Sequence, residues 1–283
     1  MADAFSYLRR PSLRSLLWAQ WLRLPPSFRR RLYSLLLTFA RPSSNGPDLV
    51  KLPLGLYAKT GPNPYAVVQE ALTLQFIAEY TSIPVPHVLD LFNDGLLILS
   101  RVPGTPLSRS IDSLSPPQLT LVADTLRDWL GQLQYLHSPF ARLVCGYLGD
   151  AFMSYRIDTT HFVGPYRTQD VFHEEACCAM TDQHDPKVRS LAAIIRQKSY
   201  DISFAHGNLA PENVLVDRNC KPIGLVGWEC AAWMPSYWDL TAGAWTRRSS
   251  AAEIWAHVLV RCLPQYTDEL RVERELWKTY TPY

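Results

Sequence analysis

The stretch FAHGNLAPENVLVD, residues 204–217, decides how the rest of the chain is read. It lies within ISFAHGNLAPENVLVDRNCKPIGLVGWECAAW (202–233), where short apolar runs alternate with Gly-, Pro- and Asn-bearing breaks, the pattern of strand, loop and strand. The loop carries His206, Gly207, Asn208 and Asn213. An asparagine amide has the shape of a carboxylate and comparable hydrogen bonds, but it takes up no proton at accessible pH. Asn208 can therefore shape a loop without being a general base. Asp217 closes the apolar run at a strand–turn boundary and is the candidate for a displaced carboxylate.

Outward from this stretch the pattern changes along the chain. SPPQLTLVADTLRDWLGQLQYLHS (115–138) opens with Ser115 and two prolines, a helix start, and continues for about six turns. A loop with several aromatics follows, then DVFHEEACCAM (170–180) and KVRSLAAIIRQKS (187–199), both helical. The tryptophan-rich segment from Trp238 is helical too. The first half differs. LPLGLYAKTG (52–61) is a strand with Lys59 at its end, and YAVVQEALTLQFIAEYT (65–81) is a helix with a stripe of Val68, Ala71, Leu72, Phe76 and Ile77. IPVPHVLDLFNDGLLILSRVPG (83–104) gives two short strands about the Asn93-Asp94-Gly95 turn. PSSNGPD (42–48) is a turn-rich break.

With 283 residues, 47% hydrophobic and 12% aromatic, the chain can form one large domain or two lobes with an ample core. Its net charge of +2 is unevenly spread. Residues 1–45 hold eight arginines against one acid, a net of +7, leaving 20 basic and 25 acidic residues, about −5, in the body. In that basic segment LRSLLWAQWLRL and FRRRLYSLLLTFA have apolar residues at helical spacing. They fit either an amphipathic element for an anionic membrane or organelle, or a pair of helices packed on the body through Trp18, Trp21 and Tyr33. Six cysteines (145, 177, 178, 220, 230, 262) show no metal spacing, and no apolar run reaches 18 residues. A protein of the reducing cytoplasm, with no nucleic-acid partner, is expected. His137, His161, His173, His184 and His257 show no ligand spacing and are taken as ordinary histidines.

Six motifs in order, GLYAKTG, QEALTLQFI, TSIPVPHV, LSRVPGTPL, FAHGNLAPENVLVD and LVGWECAAWMPSYWDL, span about Leu52 to Trp238. Through them the chain resembles the aminoglycoside phosphotransferase and choline kinase-like branch of the protein-kinase-like fold, in particular its fungal phosphotransferase-type subgroup. The resemblance implies an α+β, two-lobed protein-kinase-like fold. A basic helical extension (1–45) would precede a small β-rich lobe on the nucleotide side (46–107) and a larger, mainly helical lobe with the catalytic loop (108–283). It also implies ATP and Mg²⁺ as cofactors. Lys59 and Glu70 would then hold nucleotide phosphates, and the backbone of Arg101 and Val102 in the hinge would meet an adenine edge. His206 and Asn208 fall in the catalytic loop, and Asn213, Gly227 and Glu229 fall at the metal positions.

Two departures stand out. The family frame H-G-D-L-x-P-x-N has its aspartate replaced by Asn208, and the metal-bridging aspartate of I-D-W-E is replaced by Gly227 in LVGWE. Loss of a general base costs roughly 10²–10⁴-fold, and loss of the metal anchor removes charge stabilisation as well. Glu229 matches a family position and could also approach a metal; Asp239, in SYWDL, would cap or pin a helix. The only candidate phosphate-covering loop, Ser43-Ser44-Asn45-Gly46, has one glycine. Trp228, Trp233, Tyr237, Trp238 and Trp245 fit an acceptor pocket or a core equally well. The expectation is a catalytically impaired, pseudokinase-like member that binds a small molecule or a protein partner. Two alternatives stay open: an active ATP-dependent phosphotransferase on a small hydroxylated metabolite, of the kind found in fungal secondary metabolism, and a membrane-associated adaptor acting through residues 1–45.

Overall fold

The computed structural model describes residues 18, 20–42, 48–61, 63–175, 183–245 and 249–278. The first lobe is built on a five-stranded antiparallel sheet of order β1–β2–β3–β5–β4. Its strands are β1 (Arg41–Pro42), β2 (Leu49–Leu52), β3 (Leu56–Lys59), β4 (Val88–Leu91) and β5 (Leu97–Ser100). The expected strand over 52–61 is shorter than its apolar run because Leu54 (φ 64°) and Gly55 (φ 70°) take left-handed values. The chain turns there, pairing Leu52 with Leu56. Since β1 pairs with β2, the sheet starts before residue 46. The Ser43–Gly46 stretch lies outside the described residues, between those two strands.

Helix α1 (Pro26–Leu37) packs on one face of this sheet. Tyr33 is buried against Phe92 and Trp21, whose Nε1 donates to Tyr33 Oη over 2.8 Å. The Arg29 guanidinium pairs with buried Asp90 at 2.5 Å, and Arg30 pairs with Asp94 at 2.8 Å. Helix α2 (Pro64–Tyr80) starts at Asn63, whose Oδ1 accepts from Tyr65 N over 3.0 Å, replacing a bond the first turn lacks. It lies between the sheet and the second lobe and is buried over more of its girth than one stripe. Val67, Gln69, Glu70, Thr73 and Leu74 are covered along with Ala71 and Ile77.

The β-hairpin β4–β5 leads through β6 (Thr105–Pro106) to α3 (Pro116–Gln134), where Gln118 Oε1 accepts from Ser115 N over 2.9 Å. This helix has 19 residues, fewer than its apolar periodicity suggested, because the chain leaves it at Tyr135. Next come β7 (Cys145–Gly146), a hairpin of β8 (Phe152–Ser154) and β9 (Asp158–Val163), and helices α4 (Gln169–Glu175) and α5 (Pro186–Arg196). Strands β10 (Ile202–Ala205), β11 (Val214–Val216), β12 (Pro222–Leu225) and β13 (Ala232–Pro235) follow, then α6 (Trp238–Gly243), α7 (Ser250–Cys262) and α8 (Thr267–Leu276).

The strands of this second lobe place the site. β10 and β13 pair Phe204 with Trp233, and β11 and β12 pair Val214 with Leu225. Loop 206–213 and turn 226–231 are thereby brought side by side beneath the sheet of the first lobe. Trp228, Trp233 and Trp238 are fully buried, so the aromatic group is core and not an acceptor pocket. Trp245 instead carries the Arg156 guanidinium 4.5 Å above its ring, and Arg156 also pairs with buried Glu273. Cys145, Cys220, Cys230 and Cys262 are free; Cys177 and Cys178 lie outside the described residues. Among the described residues no helix is long and apolar enough to cross a membrane.

Candidate active site

A cleft of about 690 Å³ runs between the lobes. Its apolar lining comes from Leu49, Tyr57, Leu99 and Val102 of the first lobe and Leu215 and Val226 of the second, and among these it also carries Lys59, Glu70, Asn213, Gly227 and Glu229.

The loop that forms the polar floor is held by bonds that leave little freedom. Gly207 has φ +74°, and a Cβ there would lie 2.1 Å from the Cys230 carbonyl oxygen, so only glycine fits. The Asp239 carboxylate, at the start of α6, accepts from His206 N (3.1 Å) and Gly207 N (2.9 Å). Its bonds go to the loop at His206 and Gly207, and the helix start has no side-chain cap. Burial pushes the Asp239 carboxyl up to about 6, against the pull of those two N–H groups. His206 is fully buried; its Nδ1 accepts from Asn208 N (3.2 Å), which leaves Nε2–H to donate to Val226 O (3.0 Å). Burial lowers its pKa to about 4, so the ring is neutral. With both nitrogens spent on backbone groups, His206 is a positioning residue.

The charged groups form a closed cluster. Lys59 Nζ lies 2.6 Å from Glu70 Oε2 and 3.1 Å from Glu229 Oε2. Asn208 Nδ2 donates to the other oxygen of Glu229 over 3.2 Å, and Asn213 Nδ2 donates to Asn208 O over 2.8 Å. Burial would lower Lys59, but Glu70 and Glu229 override it and keep the ammonium charged. Burial holds the Glu70 carboxyl above the usual carboxylate range despite Lys59; at Glu229 burial acts the same way, but Lys59 prevails and holds that carboxyl below it. With all three ionised, the cluster carries one net negative charge.

Such a donor set does not fit Mg²⁺. Asn208 and Asn213 present neutral amides and no anionic oxygen, with Asn213 Nδ2 donating to the loop backbone. Gly227 has no side chain; it sits at φ +79°, and a Cβ there would fall 2.5 Å from Asn213 Oδ1. Glu229 has both oxygens engaged. Among the described residues no group of three His, Cys, Asp or Glu side chains could hold a metal ion. For adenosine triphosphate, the apolar lining suits a base, but the lysine that would meet phosphate is already matched by two acids.

Of the other residues singled out in the sequence, Val102 lines the cleft, whereas the Arg101 side chain is exposed and its N–H donates to Gly55 O over 3.3 Å. Asp217 is not a displaced carboxylate: it lies away from the cleft and accepts from Asn219 N (2.8 Å) and Lys221 N (3.0 Å). Unexpectedly, the hairpin β8–β9 walls the cleft with Met153, Tyr155, Thr160, His161 and Phe162. Phe162 meets Tyr65 of α2 with ring centroids 5.8 Å apart, and the exposed His161 lies at the rim, 3.3 Å from Asp158. The signal was present: AFMSYRIDTTHFV (151–163) is rich in aromatic and β-branched residues, the composition of a strand pair.

The site can be set beside known proteins. The family described as "Phosphotransferase enzyme family" matches residues 59–276, a span that opens on Lys59. Among curated proteins, none matches the chain in sequence. The chain is similar in fold to aminoglycoside phosphotransferase APH(2")-IIa in its gentamicin complex, with 13% identity and a TM-score of 0.59 over 91% of this chain and 87% of that one. ADP-bound APH(2'')-Ib gives 14% identity and a TM-score of 0.57 over 89% and 86%. A thermostable mutant of APH(4)-Ia gives 15% and 0.52 over 84% and 86%. At these identities the likeness is one of fold, a kinase-like sheet over a helical lobe. The catalytic-loop frame from His206 to Asn213, the Lys59–Glu70 pair and the span matched agree on one conclusion: this chain belongs to the phosphotransferase enzyme family.

Proposed function

We propose that this chain is a catalytically silent member of its family, a pseudokinase-like protein whose interlobe cleft binds a small molecule without transferring phosphate. The observation that carries this reading is the occupied state of Glu229, which accepts from Lys59 on one oxygen and from Asn208 on the other. A transferring site needs a carboxylate to orient the acceptor and cations to balance the phosphate charge. Here the acceptor position donates a hydrogen bond, and the cation is held between two acids. The apolar side chains of the cleft and its tyrosines suit a neutral or weakly charged organic ligand of the size such pockets take. A cytoplasmic setting is part of the same proposal, since none of the four cysteines among the described residues is placed to form a disulfide, as suits a reducing compartment.

The test is turnover of ATP in the presence of Mg²⁺ and a panel of hydroxylated and amino-sugar acceptors. Wild-type protein, Asn208→Asp and the double variant Asn208→Asp/Gly227→Asp are compared. Background rates for wild type and a higher rate for either variant support the reading. Wild-type turnover above background and equal to or above that of both variants overturns it and leaves an active phosphotransferase.

A further inference from the structure

The outward face of α1 carries charge and apolar surface that the fold does not use. Its inward face, Arg29, Tyr33, Leu36 and Leu37, is spent on the sheet and on Asp90. On the other side Phe28, Arg31 and Leu35 follow one another at spacings of three and four residues, the repeat of a single helical stripe, with Leu24 just before the helix and Phe39 just after it. Phe28 is 49% exposed, Leu35 55% and Phe39 66%. Of the thirteen large hydrophobic side chains exposed among the described residues, five fall between residues 22 and 39, so this is a concentrated patch and not ordinary surface scatter. Arg23, Arg31 and Arg41 are exposed around it, and the 45-residue segment it belongs to has a net charge of +7 against about −5 for the rest.

We propose that this face of α1 is a docking surface for an anionic lipid bilayer, with Phe28, Leu35 and Phe39 entering the headgroup–acyl boundary and the arginines meeting lipid phosphates and carboxylates. Apolar burial and charge attraction together are what hold an interfacial helix; either alone is marginal. The complementarity is specific to an anionic surface, because the acidic remainder of the protein is repelled by it and turns outward. The inference is independent of what the cleft binds.

The experiment is flotation of the full-length protein with vesicles of phosphatidylcholine alone or of phosphatidylcholine and phosphatidylserine at 7:3, in 50 mM and 500 mM NaCl. The expected result is binding to the mixed vesicles only, at least tenfold weaker at the higher salt. The variant Phe28→Ser/Leu35→Ser should weaken it at least tenfold with an unchanged melting temperature and circular dichroism, since both side chains are half exposed. Arg31→Glu should weaken it as well. Absence of binding to the mixed vesicles overturns the proposal. So does undiminished binding of the double variant, which would assign the attraction to arginines elsewhere in the segment. Light scattering without vesicles closes the remaining route: a multimer that the double variant dissolves would assign the face to a second copy of this chain and overturn the lipid proposal.

Discussion

Asn208 and Lys59 hold opposite oxygens of one glutamate: the Asn208 amide donates to Glu229 Oε1 over 3.2 Å, and the Lys59 ammonium lies 3.1 Å from Oε2. The two groups that a phosphotransferase would set against its substrates are joined to each other through Glu229. In the proposed reading this bond stands where a reactive gap would be, and the cluster and its loop give four measurable expectations.

Replacing the amide by its isosteric acid should break that bond and create a repulsion. Asn208→Asp sets a carboxylate against Glu229 in a cluster that already has negative charge in excess. It should lower stability at pH 7 by about 1–3 kcal/mol, the usual cost of leaving a buried polar group without its partner. Millimolar Mg²⁺ should restore part of the loss in the variant and leave the wild type unchanged. Urea unfolding with and without Mg²⁺ reads both.

Removing the cation should be worse than removing one of its partners. Lys59→Met leaves Glu70 and Glu229 uncompensated in a buried site, and breaking such a pair costs about 3–5 kcal/mol. Adding Glu229→Gln to that variant should recover stability, because it removes the surplus charge and keeps the shape. A double variant less stable than Lys59→Met alone would contradict the charge assignment.

Two glycines should answer differently to alanine. At Gly207 the new Cβ meets the Cys230 carbonyl oxygen at 2.1 Å, a backbone atom that cannot yield. At Gly227 it meets the Asn213 amide, a side chain that can shift at the cost of its hydrogen bond to Asn208 O. Both pay for a left-handed backbone, about 1–2 kcal/mol. Gly207→Ala should cost at least 2 kcal/mol more than Gly227→Ala, on the order of the penalty for overpacking. Equal melting temperatures would show that the loop does not pack as described.

The loop also carries a pH dependence of fixed sign. Asp239 has a carboxyl pKa of about 6 in the fold, above the roughly 3.9 of an unfolded aspartate. Between those values the folded state binds the proton more readily, so this contribution to stability is full at low pH and is lost as pH rises through about 6. Asp239→Asn removes the dependence and adds only a constant offset from the changed hydrogen bonds. His206 has the opposite slope but is common to both proteins. Wild-type stability relative to the variant should therefore fall by about 2 kcal/mol from pH 4 to pH 7, in urea titrations at each pH. A difference that stays flat or rises contradicts the buried carboxylate.

How much of this was legible in the sequence depended on how local the cause was. The loop from His206 to Asn213 could be read because its glycine and its proline, Gly207 and Pro211, dictate backbone shape over a few residues. Helix α3 could be read from Ser115 and the prolines after it. The left-handed turn at Leu54 could not, since a leucine gives no signal for it. Nor could the joining of Lys59 to Glu229, which are 170 residues apart in sequence and meet only through lobe packing. Asp239 was readable as a helix-end acid, but its hold on the His206 and Gly207 amides depends on how α6 meets β10. The hairpin β8–β9 had the composition of strands and was obscured by the aromatic loop around it.

The measurement that tests the central claim most directly is the thermal unfolding of the wild-type protein titrated with ATP, with and without Mg²⁺. A ligand that binds only the folded state raises the melting temperature by mass action. The account predicts no ATP-dependent rise that requires Mg²⁺, because neither Asn208 nor Gly227 supplies an anionic ligand and Lys59 is already matched by two acids. A rise that appears only with Mg²⁺ and grows with ATP would show a working metal–nucleotide site, and would contradict the claim that this cleft has given up phosphoryl transfer.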